Sequence, residues 1–235
     1  LAICEDGIHA VEQYVLAKYY ANTQIYRHRL RRITDAMIVR ALQLGIETDD
    51  LGFLKDLYRY DGSDAFLENY IRWDDELLTV EILKQETGMA HEIFLCLAQR
   101  RLYKQVYEKK LERFSQLARN ALGNLSPEQV RLLEEKIGTI LRVDPRKVIL
   151  QVYKIKSVKE QVEGSEGSIR IKPGGEFGQE STLFKSIDNA MQDQCVAVYA
   201  PVDYSTERDK RDKSREWQTG IDQILETNLT QEQTP

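Results

Sequence analysis

The chain of 235 residues has 33 Lys and Arg against 38 Asp and Glu, a formal net charge of −5. Its 42% hydrophobic and 30% charged residues are typical of a folded globular protein, and the acidic balance argues against a general nucleic-acid coat. Acidic residues stand where a signal peptide would be basic, and no apolar run reaches about 18 residues, so neither a signal peptide nor a membrane span is predicted.

Helical patterns dominate the first part of the chain. Residues 8–45 predict one long helix, because apolar residues recur every three or four positions: Leu30, Ile33, Met37, Ala41 and Leu44. One or two helices follow in 63–85, with Asp74 or Asp75 as a cap. The pattern continues from Gly88 to Leu122, and a further helix begins with Ser126 as N-cap and Pro127 at its first position.

The helical pattern ends at Pro145. Residues 148–155 are rich in β-branched and aromatic residues, and 168–172 and 194–202 predict two more short strands. A charged helix follows, with Trp217, Ile221 and Leu225 as its docking stripe. We therefore predict a mainly α fold: a helical region over 1–142, a small α+β C-terminal lobe over 143–228, and a flexible tail over 229–235.

The residues that most often bind metals or form disulfides are few and scattered. Cys4, Cys96 and Cys195 form no CxxC pair, which favours reduced thiols in a cytoplasmic protein. The three histidines, His9, His28 and His91, form no metal-binding motif, so we expect no complete catalytic metal site in this segment.

A basic stretch occupies the middle of the first predicted helix, with cations or imidazoles at 27, 28, 29, 31 and 32. On a continuous helix Lys18, Asn22, Tyr26 and Arg29, spaced by four, four and three residues, share one face. Two cations, an amide and a phenol suit a polyphosphate joined to a sugar. The alternative is a solvated basic face with Tyr26 half packed. Residues 100–104, "RRLYK", present the same choice between a nucleotide contact from a neighbouring subunit and a solvated helix face.

Several segments taken in order resemble one family. "GIHAVEQYVLAKYY", "IYRH" and "ITDAMI", then "LAQRRLYKQVYE" and "SIRIK…CVAVYAPVD", are similar to the region after the metal-binding core in HD-superfamily metal-dependent phosphohydrolases. These are the relatives of the sterile-alpha-motif and HD-domain dNTP triphosphohydrolase. The likeness reaches to about Asp203.

The resemblance implies a role for each matching position. Lys18 stands where the family contacts phosphates, often with Arg, and Tyr26 matches the tyrosine on the substrate sugar. His28 and Arg29 match residues near a nucleotide-binding interface in tetrameric relatives. Asn22 would contact substrate but replaces a catalytic-pocket His, so we assign it no proton transfer.

The HD motif itself does not occur in this sequence, and the resemblance places it before Leu1. The divalent metal of such an enzyme (Mn, Mg, Fe or Zn) would be bound there, so we expect this segment alone to contain no catalytic residue, to bind no metal and to be inactive. The resemblance also implies a dNTP-like nucleotide and a homo-oligomer as partners.

Two functions of different classes therefore compete. The chain is either part of a nucleotide phosphohydrolase, supplying substrate contacts and oligomer surface, or a non-catalytic helical module for oligomerisation or regulation. Single-stranded nucleic-acid binding is a weaker third hypothesis, because the net charge is acidic.

Overall fold

The computed structural model describes residues 2–26, 28–155, 169–172, 174–181 and 193–231. Its α-helices lie at α1 Ile8–Ala21, α2 Arg29–Glu47, α3 Gly52–Tyr58, α4 Asp64–Tyr70, α5 Asp75–Leu83, α6 Met89–Ala98, α7 Gln116–Leu122, α8 Pro127–Leu141, α9 Phe177–Glu180 and α10 Glu207–Gln231. The fold is mainly α with a small α+β lobe, as predicted.

Two small sheets accompany the helices. The strands are β1 Ala2–Cys4, β2 Lys104–Lys110, β3 Ile149–Ile155, β4 Arg170–Lys172, β5 Gly175–Glu176 and β6 Asp193–Ala200. The larger sheet is antiparallel in the order β2–β6–β3, and the smaller has the order β1–β4–β5 with β1 parallel to β4. The predicted strand in 168–172 therefore exists, but it pairs with the N-terminal β1 and with β5 rather than with the strands of the larger sheet.

The larger sheet separates two hydrophobic cores. Val196, Val198 and Ala200 of β6 pack on the face covered by α7, α8 and α10. Ala197 and Tyr199 point to the other face, which packs against α2 and α6. Alternate residues of β6 are buried on both faces, which explains why this central strand is almost wholly apolar.

The predicted long helix over 8–45 is wrong in one respect. It is interrupted by a π-helical turn over Asn22–Tyr26, and α2 starts afresh at Arg29 with the His28 imidazole accepting from the Leu30 amide at 3.3 Å. The predicted stripe is buried from Ile33 onward, but Leu30 is half exposed. The spacing that placed Lys18 and Arg29 on one face assumed a continuous α-helix, and that helix is absent.

The predicted helix from Gly88 to Leu122 is wrong in its middle. Helix α6 ends at Ala98, and Arg100 takes the left-handed conformation with φ of 56°. The Arg101 amide then donates to the Cys96 carbonyl at 2.8 Å, closing the helix in the manner usually reserved for glycine. The polar segment after it forms β2, an outer strand of the larger sheet.

Other predicted ends agree with the structure. Asp74 caps α5, Ser126 caps α8, and Ser126 and Gln129 complete a capping box there. Trp217, Ile221 and Leu225 of α10 are buried in the core. Among the described helices, none is long and apolar enough for a bilayer crossing.

The boundary predicted at residue 142 stays a prediction. Val106 and Leu133, which precede it, share one hydrophobic core with β6, which follows it. The predicted tail over 229–235 is helical to Gln231, and its last four residues lie outside the described ranges.

Candidate functional site

The junction between α1 and α2 carries the predicted ligand contacts. Lys18 lies in the last turn of α1, Tyr26 ends the π-helical turn, and Arg29 is the first residue of α2. All three side chains are exposed and form no ion pair with another described residue. The side chain of Asn22 and the whole of Arg27 lie outside the described part of the structure. The basic and aromatic groups are thus available to a ligand, although their shared face on one helix is lost.

His28 has a structural contact of its own. Its Nδ1 accepts the hydrogen bond from the Leu30 amide, and its carbonyl accepts from the Arg32 amide at 3.1 Å. The imidazole is exposed, so the ring edge that carries Nε2 remains open to solvent. His28 therefore both starts α2 and presents a polar group at its N-terminus, where the backbone amides favour an anion.

A groove of about 610 Å³ opens beside this N-terminus. Leu30 and Ile38 of α2 and Phe94 and Leu97 of α6 form its apolar wall. Arg100, from the loop between α6 and β2, and Lys104, the first residue of β2, add two cations to its lining. The structure thus brings "RRLYK" close to the start of α2, two segments that lie about 70 residues apart in sequence and that sequence reasoning could not connect.

A larger cavity of about 790 Å³ lies between α2, α8 and β3. Its cations are already paired: Arg40 Nη2 is 2.5 Å from Glu134 Oε1, and Arg131 Nη2 is 2.5 Å from Glu47 Oε2. Burial raises the pKa of Glu134, and the hydrogen bond and charge of Arg40 oppose that rise. Because these guanidinium groups are neutralised, we do not place the anionic ligand in this cavity.

The described residues do not fit a catalytic metal. Within the described ranges of the chain, no three His, Cys, Asp or Glu side chains come together as ligands. His9 pairs with Glu12 at 2.9 Å, His28 precedes α2, and His91 lies on α6. No reaction step is therefore assigned to a metal held by these residues.

The fold defines a class: a helical body whose second helix packs on the sheet of a small lobe, with basic groups exposed at that helix's start. The chain belongs to the family described as the HD associated region, whose model matches residues 1–215.

Among solved structures, the chain is similar to a phosphohydrolase from Bacteroides thetaiotaomicron VPI-5482, with a TM-score of 0.54 and 15% identity. The match covers 85% of this chain and 51% of the other, so the chain spans about half the length of that protein. A likeness at this identity concerns the fold. A comparison with curated proteins gives no match.

Proposed function

We propose that the chain is the substrate-contacting and assembly part of an HD-type phosphohydrolase that acts on nucleotides, with a dNTP as the first candidate substrate. Membership of the HD associated region is the observation that carries this proposal. The divalent metal, Mn, Mg, Fe or Zn, would be bound by the HD motif of the whole enzyme and would activate the water that attacks the phosphoester. This chain would contribute binding and orientation.

The exposed groups at the α1–α2 junction suit such a ligand. Lys18 would neutralise phosphate oxygens, since it has no ion-pair partner among the described residues. Tyr26 would donate its hydroxyl to the sugar, and Asn22 would supply an amide nearby. Because a solvent-exposed cation gains little from an anion, these contacts become strong only when another wall excludes water.

His28 and Arg29 would contact a nucleotide at an interface between subunits. The groove beside them supports this assignment, because its apolar wall fits a base while Arg100 and Lys104 can reach phosphates. A nucleotide shared between two copies would bury the polar N-terminus of α2. The proposal therefore couples nucleotide binding to assembly into a homo-oligomer.

The test uses the whole enzyme that contains this segment, supplied with Mn²⁺ or Mg²⁺ and a panel of dNTPs. We expect release of triphosphate or phosphate, and we expect Lys18→Ala and Tyr26→Ala to reduce kcat/KM at least about tenfold, as the loss of a charge-assisted contact does. Tyr14→Ala is the matched control for Tyr26→Ala, because Tyr14 is also a largely exposed tyrosine and lies on α1. Activity that survives both substitutions would remove Lys18 and Tyr26 from the pocket.

A second function, a non-catalytic oligomerisation or regulatory module, is favoured by a different observation. The segment from the end of α3 to the end of α4 exposes several large apolar side chains that association between copies would cover: Tyr58, Tyr60, Leu67, Tyr70 and Ile71. Light scattering with and without nucleotides separates the two functions. Assembly that ignores every nucleotide favours the module, and assembly that requires one favours the enzyme.

A further inference from the structure

Arg32 joins the first turn of α2 to the larger sheet. Only 17% of its side chain is exposed, and its Nη2 lies 3.2 Å from Oε1 of Glu108 on β2. The guanidinium carbon lies 4.1 Å from the centre of the Tyr153 ring on β3. Arg32 therefore contacts both outer strands of the sheet, with an ion pair on one side and a cation–π contact on the other.

Glu108 is held by three donors. Besides Arg32, the Gln105 amide donates to Oε2 at 2.9 Å, and the Tyr153 hydroxyl donates to Oε1. Burial alone would raise the pKa of Glu108, but these hydrogen bonds and the Arg32 charge together lower it. The carboxylate stays ionised at neutral pH, so the ion pair with Arg32 is present under ordinary conditions.

The strand register explains how these side chains meet. Glu108 lies opposite Ala197 of the central strand β6, and Tyr153 lies opposite Cys195. Positions 195 and 197 are two residues apart, so both outer side chains project from the same face, toward α2. The small side chain of Ala197 leaves room for a guanidinium between the two outer strands.

The turn that Arg32 anchors is the turn that carries His28 and Arg29. The Arg32 amide donates to the His28 carbonyl at 3.1 Å, within one helical turn. We propose that Arg32 is a positioning residue: through Glu108 and Tyr153 it fixes the N-terminal turn of α2 on the sheet, so that His28 and Arg29 are ready to bind the nucleotide. The nucleotide in this inference rests on the proposed function. The mechanical part, the anchoring of the first turn of α2 by Arg32, does not.

Hydrogen exchange without ligand tests the mechanical part. In Arg32→Met, which keeps the apolar stem, we expect the amides of residues 32–34 to exchange about tenfold faster or more than in the wild type, as the loss of a charged hydrogen bond allows. Arg31→Met is the matched control. Arg31 is the adjacent residue, is 58% exposed and makes only a surface pair with Asp35 at 3.6 Å. Equal exchange in Arg32→Met and wild type would overturn the inference.

A milder variant keeps the test usable if Arg32→Met does not fold. Tyr153→Phe retains the ring beneath the guanidinium and removes the hydroxyl that orients Glu108. We expect faster exchange in the same turn, by a smaller factor. A Tyr153→Phe protein that folds and exchanges like the wild type would equally overturn the anchoring role.

Nucleotide binding tests the positioning part, with the dissociation constants of dATP, dGTP, dCTP and dTTP measured by calorimetry on the whole enzyme. We expect Arg32→Met to weaken binding about tenfold and Arg31→Met to leave it within about twofold. Faster exchange together with unchanged affinity would overturn the positioning role. A wild type that binds no dNTP would overturn the proposed function instead, while the exchange result still decides on the anchor.

Discussion

Arg40 on α2 and Glu134 on α8 form an ion pair with 2.5 Å between Nη2 and Oε1, and only 14% and 3% of their side chains are exposed. Glu134 Oε1 also accepts from the Leu150 amide at 2.9 Å, and Arg40 Nη1 donates to the Arg146 carbonyl at 3.2 Å. The pair thereby connects α2 to α8, to the turn before β3 and to β3 itself. Removing one partner would leave the other charge buried.

We expect Arg40→Met to lower the free energy of unfolding by about 3–5 kcal/mol, because it leaves the buried Glu134 carboxyl group without its counterion. Urea denaturation measures the change. Lys84→Met is the control: Lys84 and Glu81 are also 2.5 Å apart, but the lysine is 60% exposed, so its loss should cost less than about 1 kcal/mol. Equal losses in Arg40→Met and Lys84→Met would show that the burial of the Arg40–Glu134 pair has no special effect.

The buried carboxyl group should also give a pH dependence of known sign. Burial raises the pKa of Glu134 above its ordinary 4.5, with Arg40 and Arg131 opposing the rise. Its contribution to stability is therefore fully present below pH 4.5 and is lost as the pH rises through the raised pKa. We expect the difference in unfolding free energy between wild type and Glu134→Gln to fall in urea titrations as the pH rises above 4.5.

Glu108→Gln is the control, because the contribution of Glu108 to stability should depend on pH with the opposite sign. The pKa of Glu108 is lowered, so its contribution is present above the ordinary value and is lost as the pH falls through the lowered one. A difference for Glu134→Gln that increased with pH would contradict the assigned direction of its pKa.

Local sequence signals predicted the elements that depend on neighbouring residues. Ser126, Pro127 and Gln129 mark the start of α8, and the four-residue spacing of Trp217, Ile221 and Leu225 marks the buried face of α10. Both features are complete within a few turns of the chain. The apolar run at β6 was likewise sufficient to predict a buried strand.

The elements that sequence reasoning missed depend on distant partners. The β2 segment, "KQVYEKK", is composed largely of good helix formers, and only its pairing with β6 makes it a strand. The end of α6 was hidden because Arg100, rather than glycine, takes the left-handed position. Arg32 looked like one more exposed cation, because its partner Glu108 lies 76 residues further along the chain.

The site could be predicted only in part, for the same physical reason. Spacing on a continuous helix suggested the set Lys18, Asn22, Tyr26 and Arg29, and the π-helical turn removes that continuity. The roles of these residues stay predictions. The groove beside Leu30 could not be foreseen, since it forms only where α2, α6 and the start of β2 meet.

Asp49 and Gly88 should be coupled at the start of α6. The Asp49 carboxylate accepts from the Met89 amide at 3.0 Å and from the Ala90 amide at 2.7 Å. Gly88 has φ of 105°, and a Cβ there would lie 2.8 Å from Asp49 Oδ2. We expect Gly88→Ala to lower stability by about 1–3 kcal/mol through backbone strain and this close contact, and Asp49→Ala to lower it by about 1–2 kcal/mol.

A double-mutant cycle measured by thermal unfolding checks the coupling. Part of the cost of Gly88→Ala comes from the carboxylate, so the double variant should be more stable than the sum of the two single losses predicts. Strictly additive losses would mean that the strained φ alone accounts for the effect of Gly88→Ala.

Arg100 allows backbone conformation and ligand binding to be separated. Its φ of 56° is one that glycine adopts without the cost of a Cβ, while its guanidinium lines the groove beside α2. Arg100→Gly should therefore leave the free energy of unfolding unchanged or raise it by up to about 1 kcal/mol, with a matching rise in melting temperature. It should nevertheless weaken nucleotide binding. Arg100→Ala should weaken binding equally but leave stability close to that of the wild type, because alanine and arginine both carry a Cβ at this φ. Thermal unfolding and calorimetric titration of both variants measure the two effects. If Arg100→Gly bound nucleotide like the wild type, Arg100 would serve only to end α6, and the groove would lose one of its two proposed phosphate contacts.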